Sequence, residues 1–202
     1  PMPVHQVGSS PSAFAVADFN RDGKMDVAVV NQGSRTVSIL LGDGQGSFVD
    51  AQYLPAGTFA NDIVAADFNG DGKVDLAVTS LLDNSVWIFL GNGDGSFKHQ
   101  IVVSLGAPAR SIAAGDFNRD GKVDLVVTNS VGGATWHTVQ VLLGNGDGTF
   151  QPPVSYIAGT DPFGIAVGDV NQDGILDLIV TNSTSNDFST LLGIGDGTFR
   201  PA

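Results

Sequence analysis

Short apolar runs, broken by Gly- and Asp-rich stretches, recur along the whole chain. SAFAVAD, DIVAAD, SIAAGD and FGIAVGD form one series, and DVAVV, DLAVTS, DLVVTN and DLIVTN a second. TVSILL, SVWIFL, TVQVLL and FSTLL form a third, and VDAQYLPA, KHQIVVSL and QPPVSYIA a fourth. The runs are too short for helices and rich in β-branched residues, so they predict strands. Runs of the first two series are almost continuously apolar, which predicts burial on both faces. The fourth series alternates and carries Pro152 and Pro153, as an exposed edge strand can.

The breaks repeat as strictly as the runs. DFNRDGKMD spans Asp18 to Asp26, DFNGDGKVD Asp67 to Asp75, DFNRDGKVD Asp116 to Asp124 and DVNQDGILD Asp169 to Asp177. Their first Asp residues lie 49, 49 and 53 positions apart. A second marker, GDGQGSF, GNGDGSF, GNGDGTF and GIGDGTF, ends at Phe48, Phe97, Phe150 and Phe199, spaced by 49, 53 and 49. One four-residue insertion between Asn129 and Gly144 reconciles the two series.

A period near 50 with four strands per unit fits a propeller blade. The expected fold is therefore all-β: a β-propeller of four four-stranded blades, one domain over residues 1–202. Its units are approximately 9–57, 58–106, 107–159, and 160–202 completed by 1–8. The innermost strand carries Ala15, Ala17, Ala66, Ala113, Gly115, Ala166 and Gly168, which suits crowding at a central axis. Joined tail to head, FRPA and PMPVHQVG resemble FQPPVSYIAG, so the N-terminal segment is expected to close the ring as the last blade's fourth strand. Closure would remove open sheet edges.

Each loop reads D-x-N-x-D-G-x-x-D. Hard cations such as Ca²⁺ take six to eight oxygen ligands at about 2.3–2.6 Å, and short oxygen side chains at alternate positions of a tight loop supply them. The expected ligands are Asp18, Asn20, Asp22, the Lys24 carbonyl and Asp26. They recur as Asp67, Asn69, Asp71, Lys73 and Asp75, and as Asp116, Asn118, Asp120, Lys122 and Asp124. The fourth set is Asp169, Asn171, Asp173, Ile175 and Asp177. Gly23 stands where the chain turns, at an expected positive φ. An EF-hand would carry Glu at loop position 12 between two helices. Here that position holds Val29, Val78, Val127 and Val180, and the flanks read as strands. The alternative is a set of ordinary turns with chance carboxylates.

All 21 acidic residues are Asp, and the net charge is −12. Twelve of those Asp sit in the four loops, so four Ca²⁺ would leave about −4. Much of the acidity thus accompanies metal rather than a cationic partner, and a nucleic-acid partner, which needs a basic stripe, is excluded. No apolar run approaches the roughly 20 residues of a membrane span. The chain has no Cys. Pro1 at its start is expected of a mature or trimmed chain. Exposed, weak Ca²⁺ loops suit millimolar extracellular calcium, so a secreted or cell-surface location is expected.

The pairing of the D-x-N-x-D-G-x-x-D loop with LLGNGDGTF resembles the FG-GAP/VCBS repeats of integrin-alpha-type propellers, over essentially the whole chain. That resemblance implies Ca²⁺ in each of the four loops, between the first two strands of a blade. It also implies about seven blades, so four units leave open a larger ring formed by two chains, although a monomer is expected. Val170 for Phe and Ile175 for Lys depart from the pattern without removing a side-chain ligand.

A four-stranded meander puts all four loops on one face with the GNGDG turns. Those turns, with Asp94, Asp147 and Asp196, read as hairpin signals. The opposite face collects Arg35, Phe59, Arg110, Trp136, His137 and Phe163, candidates for contact with a protein or glycan ligand. The plainer reading of Trp136 is packing within its own long loop. No G-x-S-x-G or Cys nucleophile occurs, and His5, His99 and His137 do not recur with the repeat, so no catalytic residue is assigned. Three functions follow in order: a calcium-stabilised interaction or adhesion module, a lectin, and the propeller of a polysaccharide-degrading enzyme.

Overall fold

The computed structural model describes residues 4–131 and 136–200. It is all-β, as the pattern predicts. Blade 1 is built from β1 (Pro11–Ala17), β2 (Asp26–Asn31), β3 (Thr36–Gly42) and β4 (Phe48–Pro55). Blade 2 comprises β5 (Ala60–Ala66), β6 (Asp75–Ser80), β7 (Ser85–Phe89) and β8 (Ile101–Ser104). Blade 3 comprises β9 (Ala109–Gly115), β10 (Asp124–Asn129), β11 (Thr138–Leu142) and β12 (Val154–Ile157). Blade 4 has β13 (Pro162–Gly168), β14 (Asp177–Asn182) and β15 (Asp187–Leu191). Each sheet is an antiparallel meander in chain order.

The core lies between blades rather than within them. Ala28, Val30, Val37 and Ile39 of blade 1 meet Ile63, Leu76 and Val78 of blade 2, all buried. Equivalent sandwiches join blades 2 and 3 and blades 3 and 4. Alternation across a strand sends successive side chains to the two neighbours. That is why β6 and β10 are buried at every position. β1 is expected to be buried on both faces as well, but Phe14 is 69% and Val16 50% exposed, because among the described residues no blade packs on that face.

Neighbouring blades are also stitched at their loop ends. Gly95, Gly148 and Gly197, in the turns between third and fourth strands, donate their N–H groups to the carbonyls of Phe19, Phe68 and Phe117 of the blade before, each at 3.1 Å. The rings of those Phe residues stand edge-on to Phe97, Phe150 and Phe199, with centroids 5.6, 5.9 and 5.6 Å apart. A side chain at Gly148 would lie 2.8 Å from Leu90, and the residue's φ of +85° compounds the strain.

Within each blade the last Asp of the loop motif acts as a clamp. Asp124 is fully buried, and its carboxylate accepts N–H bonds from Phe117 at 2.8 Å and from Gly144 at 2.8 Å. Asp26, Asp75 and Asp177 are equally buried and accept the equivalent pairs, Phe19 with Gly42, Phe68 with Gly91, and Val170 with Gly193. One carboxylate thereby ties the loop between the first two strands to the end of the third. Two charge-assisted bonds in a dry site offset much of the desolvation cost of a buried anion.

The expected ring closure is not found. β1 packs on β5, β5 on β9 and β9 on β13, but β13 and β1 show no comparable packing among the described residues. The fourth sheet has three strands, and residues 4–10 lie against blade 1 instead. There the His5 ring stands edge-on to Phe48 at 5.2 Å, and the Ser9 N–H donates to Ser34 Oγ at 3.2 Å. Among the described residues the four blades thus form an open arc, with blade 4 making no such packing on blade 1. Residues 1–3, 201–202 and the 132–135 part of the insertion lie outside the described residues.

Asp124→Asn keeps the volume but replaces one acceptor with an NH₂ that faces an N–H. It is expected to cost ~1.5–3 kcal/mol, the worth of a charge-assisted bond. For a chain of this size that lowers the melting temperature by about 3–12 °C. Asp50→Asn, on an exposed strand, serves as the control and should leave the melt unchanged. Equal melting curves for both variants would contradict the clamp.

Candidate metal loops

The loop between β1 and β2 is shaped by its own side chains. Asp18 Oδ1 and Asn20 Oδ1 both accept the Asp22 N–H, at 3.1 and 3.0 Å, so two of the expected ligand atoms converge on one point. Asp18 Oδ2 accepts the Gly23 N–H at 2.8 Å, and Asp22 Oδ1 accepts that of Lys24 at 2.9 Å. Short Asn and Asp side chains close such turns by bonding backbone two or more residues on. The same pattern holds Asp67, Asn69 and Asp71, then Asp116, Asn118 and Asp120, then Asp169, Asn171 and Asp173. Gly23 takes φ +81°, as its place in the turn predicts. The residue two positions before that glycine is also left-handed in every loop, at Arg21, Gly70, Arg119 and Gln172. Gly70 was the one hint of that in the sequence.

Electrostatics in the loops run in two directions. Burial pushes the Asp75 carboxyl above its ordinary range, against two backbone hydrogen bonds, and the charges of Asp67 and Asp71 push it the same way. Asp124 is raised by burial too, with Asp120 and Asp116 adding to it. The exposed Asp22 and Asp120 carboxyls are lowered, chiefly by the N–H bonds from Lys24 and Lys122. Three Lys reach back to the same carboxylates: Lys24 to Asp22 at 3.4 Å, Lys73 to Asp71 at 3.2 Å and Lys122 to Asp120 at 3.6 Å. Read from the sequence, those Lys supplied only a carbonyl. Ile175 replaces the Lys in the fourth loop, where Arg119 of blade 3 instead donates to the Gly174 carbonyl at 2.5 Å.

The donor set is all oxygen, which fits a hard cation. Among the described residues no three carboxylate or imidazole groups form a ready-made cluster. The clamp explains why: the last Asp of each motif spends both oxygens on N–H groups, leaving two carboxylates per loop beside one Asn carboxamide and one carbonyl. Each clamping oxygen retains a second lone pair. The GNGDG turns hold their own Asp in local bonds, Asp94 to the Ser96 N–H at 3.0 Å and Asp147 to the Thr149 N–H at 2.9 Å. That is the turn role read from the sequence. The candidate loops and the turns share one end of each blade, where Gly93 and Gly146 lie against the Lys73 and Lys122 side chains.

At the other end the six expected ligand-face residues split into two places. Arg110 stacks over the Phe163 ring at 3.7 Å, beside Asp161, which Ser130 and Ser183 hold by hydrogen bonds. Burial lowers the Arg110 pKa, opposed by the Asp161 charge. Half-buried Trp136 and exposed His137 join Gln140, Ser155, Ile157 and Thr160 in lining an open groove of about 750 Å³ along blade 3. The Trp136 carbonyl accepts the Asp161 N–H at 3.2 Å, so the groove adjoins the Arg110–Phe163 stack. Arg35 and Phe59 lie apart, between blades 1 and 2, where the Ala56 N–H donates to the Arg35 carbonyl at 2.8 Å. Both have positive φ, 55° and 61°. No helix among the described residues is long and apolar enough to cross a membrane.

Solved structures with this architecture include an Agrocybe aegerita lectin that recognises non-reducing terminal N-acetylglucosamine. It is 25% identical, with a TM-score of 0.58 over 92% of this chain and 50% of that one. BBS1N in complex with ARL6DN is 14% identical, with a TM-score of 0.62 over 98% and 56%. A Bacteroides uniformis protein provisionally described as a 6-phosphogluconolactonase is 15% identical, with a TM-score of 0.69 over 94% and 52%. The chain thus spans about half the length of these proteins. No curated protein sequence matches it. A family model for the FG-GAP-like repeat matches residues 18–78, 72–127 and 130–180, and one for the FG-GAP repeat matches 108–149. By loop, by hairpin and by these matches over most of its length, the chain belongs to the FG-GAP-like repeat family.

Proposed function

We propose that this chain is a calcium-stabilised β-propeller module of a secreted or cell-surface protein, acting by binding a partner rather than by catalysis. The observation that carries the reading is the loop: Asp18 Oδ1 and Asn20 Oδ1 gathered at the Asp22 N–H, with the Asp22 carboxylate turned to the N–H of Lys24 beside them, an arrangement found in all four copies. Asp18, Asn20, Asp22 and the Lys24 carbonyl would hold the ion in blade 1, with Asp26 beneath them. Burial raises Asp75 and Asp124 most, and a bound Ca²⁺ would offset the neighbouring carboxylate charges that add to it. Its role would be structural, stiffening the hairpin between the first two strands of each blade.

A second reading, glycan recognition, is favoured by the groove at Trp136 and His137 and by the likeness to a lectin at 25% identity. An aromatic face beside polar groups suits a sugar ring. The Arg110–Phe163 stack next to it would extend the contact surface for either a glycan or a protein. His5, His99 and His137 lie in separate places and assemble no acid–base pair, which supports binding over turnover.

Calcium titration followed by calorimetry is expected to give about four sites per chain, and Asp22→Ala to remove one. With calcium at roughly ten times Kd, each site contributes about 1.4 kcal/mol to stability, so excess chelator should lower the melting temperature. An unchanged melt with and without chelator would overturn the calcium reading. For the ligand face, a glycan array that includes terminal N-acetylglucosamine is expected to show binding that Trp136→Ala abolishes. A blank array for the parent chain would remove the lectin reading and leave a protein partner.

A further inference from the structure

The two ends of the arc carry matching halves of the contacts that the chain makes three times inside itself. Gly46 is the counterpart of Gly95, Gly148 and Gly197, and its N–H meets no carbonyl among the described residues. The carbonyl it lacks is that of Val170, the counterpart of Phe19, Phe68 and Phe117, which likewise has no such donor. Leu41, Leu90 and Leu143 each pack over the turn glycine of the next blade, whereas a Cβ at Gly46 would meet nothing within 4 Å. Leu192 of blade 4 is the leucine left over.

The strand faces tell the same story. Val37, Val86 and Val139 are fully buried against the following blade, but Phe188 at that position in blade 4 is 67% exposed. Ile63 and Ile112 are each 6% exposed against the preceding blade, and Phe14 at that position in blade 1 is 69% exposed. Polar pairing agrees. Thr79 and Thr128 donate across the blade boundary to the carbonyls of Arg110 and Phe163, at 2.9 and 3.1 Å. Thr181 of blade 4 reaches only the Gly164 carbonyl of its own sheet, at 3.4 Å. Its missing acceptor corresponds to the carbonyl of Ser12, in blade 1.

We infer that a second copy of this chain covers both ends, blade 4 of each copy packing on blade 1 of the other to close an eight-blade ring. Every unmet group named above then finds the partner its repeats already have. A head-to-tail contact makes a ring when its rotation closes, and eight blades is within the usual range. The four blades align with about half of larger propeller-like chains, which leaves a second half of similar size to be filled.

The copy also supplies the strand that blade 4 lacks. Tyr156 of β12 pairs with Val139 and stands edge-on to Phe199 at 5.5 Å. His5 holds the corresponding place against Phe48, so residues 4–8 already lie where a preceding blade's fourth strand belongs. In the ring they pair with the open edge of the second copy's β15 and set His5 opposite Phe188.

Light scattering on the eluted chain tests this. The expected result is one species of about 42 kDa, twice the 20.8 kDa of a single chain. Phe14→Asp and Phe188→Asp change exposed side chains, so each is expected to keep the circular dichroism of the parent while weakening association at least about tenfold. Hydrogen exchange at residues 4–8 should be protected in the parent and fast in Phe188→Asp. A parent of 20.8 kDa, or a ladder of open oligomers, overturns the ring. So does a dimer that loses only to Phe14→Asp, since that is a face-to-face pairing of blade 1.

Discussion

A buried carboxylate with two backbone N–H partners is the constraint on which this architecture depends. Asp26, Asp75, Asp124 and Asp177 each fasten a loop between two strands to the start of a turn two strands away. Asp suits the place because its short side chain has few rotamers to lose and reaches backbone one turn away. Glu, longer by a methylene, would have to displace the Phe117 or Gly144 segment to make the same pair. The absence of Glu from the whole chain is in keeping with loops built at this scale. With the clamp closed, Phe19, Phe68 and Phe117 present their carbonyls and rings to the next blade, so the clamp governs packing between blades as well as within one.

The consequence is a structure with nearest-neighbour energetics. Each blade is too thin to bury its own apolar faces and does so only against a neighbour, as in other repeat architectures. Three sandwiches with nearly the same residues follow along the chain. Stability therefore accumulates with each added interface, and the end blades hold one interface fewer than the middle ones. Metal bound in the loops would add to the same joints, since the clamp and the candidate ligands belong to one nine-residue motif.

The sequence was informative about elements because period and composition agreed at every copy. Strand boundaries fell within a residue or two of the runs, β2, β6, β10 and β14 almost to the residue, except that β8 and β12 begin three residues later than their runs. What the pattern could not reveal was which apolar residues lack a neighbour. Phe14 read as core because its run is almost continuously apolar, and its exposure, like that of Phe188, depends on whether another blade covers it, a long-range fact absent from any local window. The clamp was hidden for a related reason. Position 9 of the loop reads as one more ligand, and only the distant Gly42, Gly91, Gly144 and Gly193 N–H groups reveal its second task. Lys24, Lys73 and Lys122 were read for their carbonyls, yet their ammonium groups also reach the loop carboxylates of Asp22, Asp71 and Asp120.

Four near-identical units also make the departures meaningful. A residue repeated at every copy is explained by the blade, so chemistry peculiar to this protein must lie where the copies differ. Blade 3 carries the insertion and, beside it, Trp136, His137 and the groove they line. Blade 4 replaces a loop Lys with Ile175, and Arg119 from the neighbouring blade takes over there by reaching the Gly174 carbonyl. Both departures fall at the junction of blades 3 and 4, one at each end, and the Arg110–Phe163 stack lies at the same junction. A scaffold that spends its regularity on stability can vary one joint without disturbing the others, because each interface touches only its neighbours. That joint, rather than any loop present in all four copies, is where recognition can be specific to this chain.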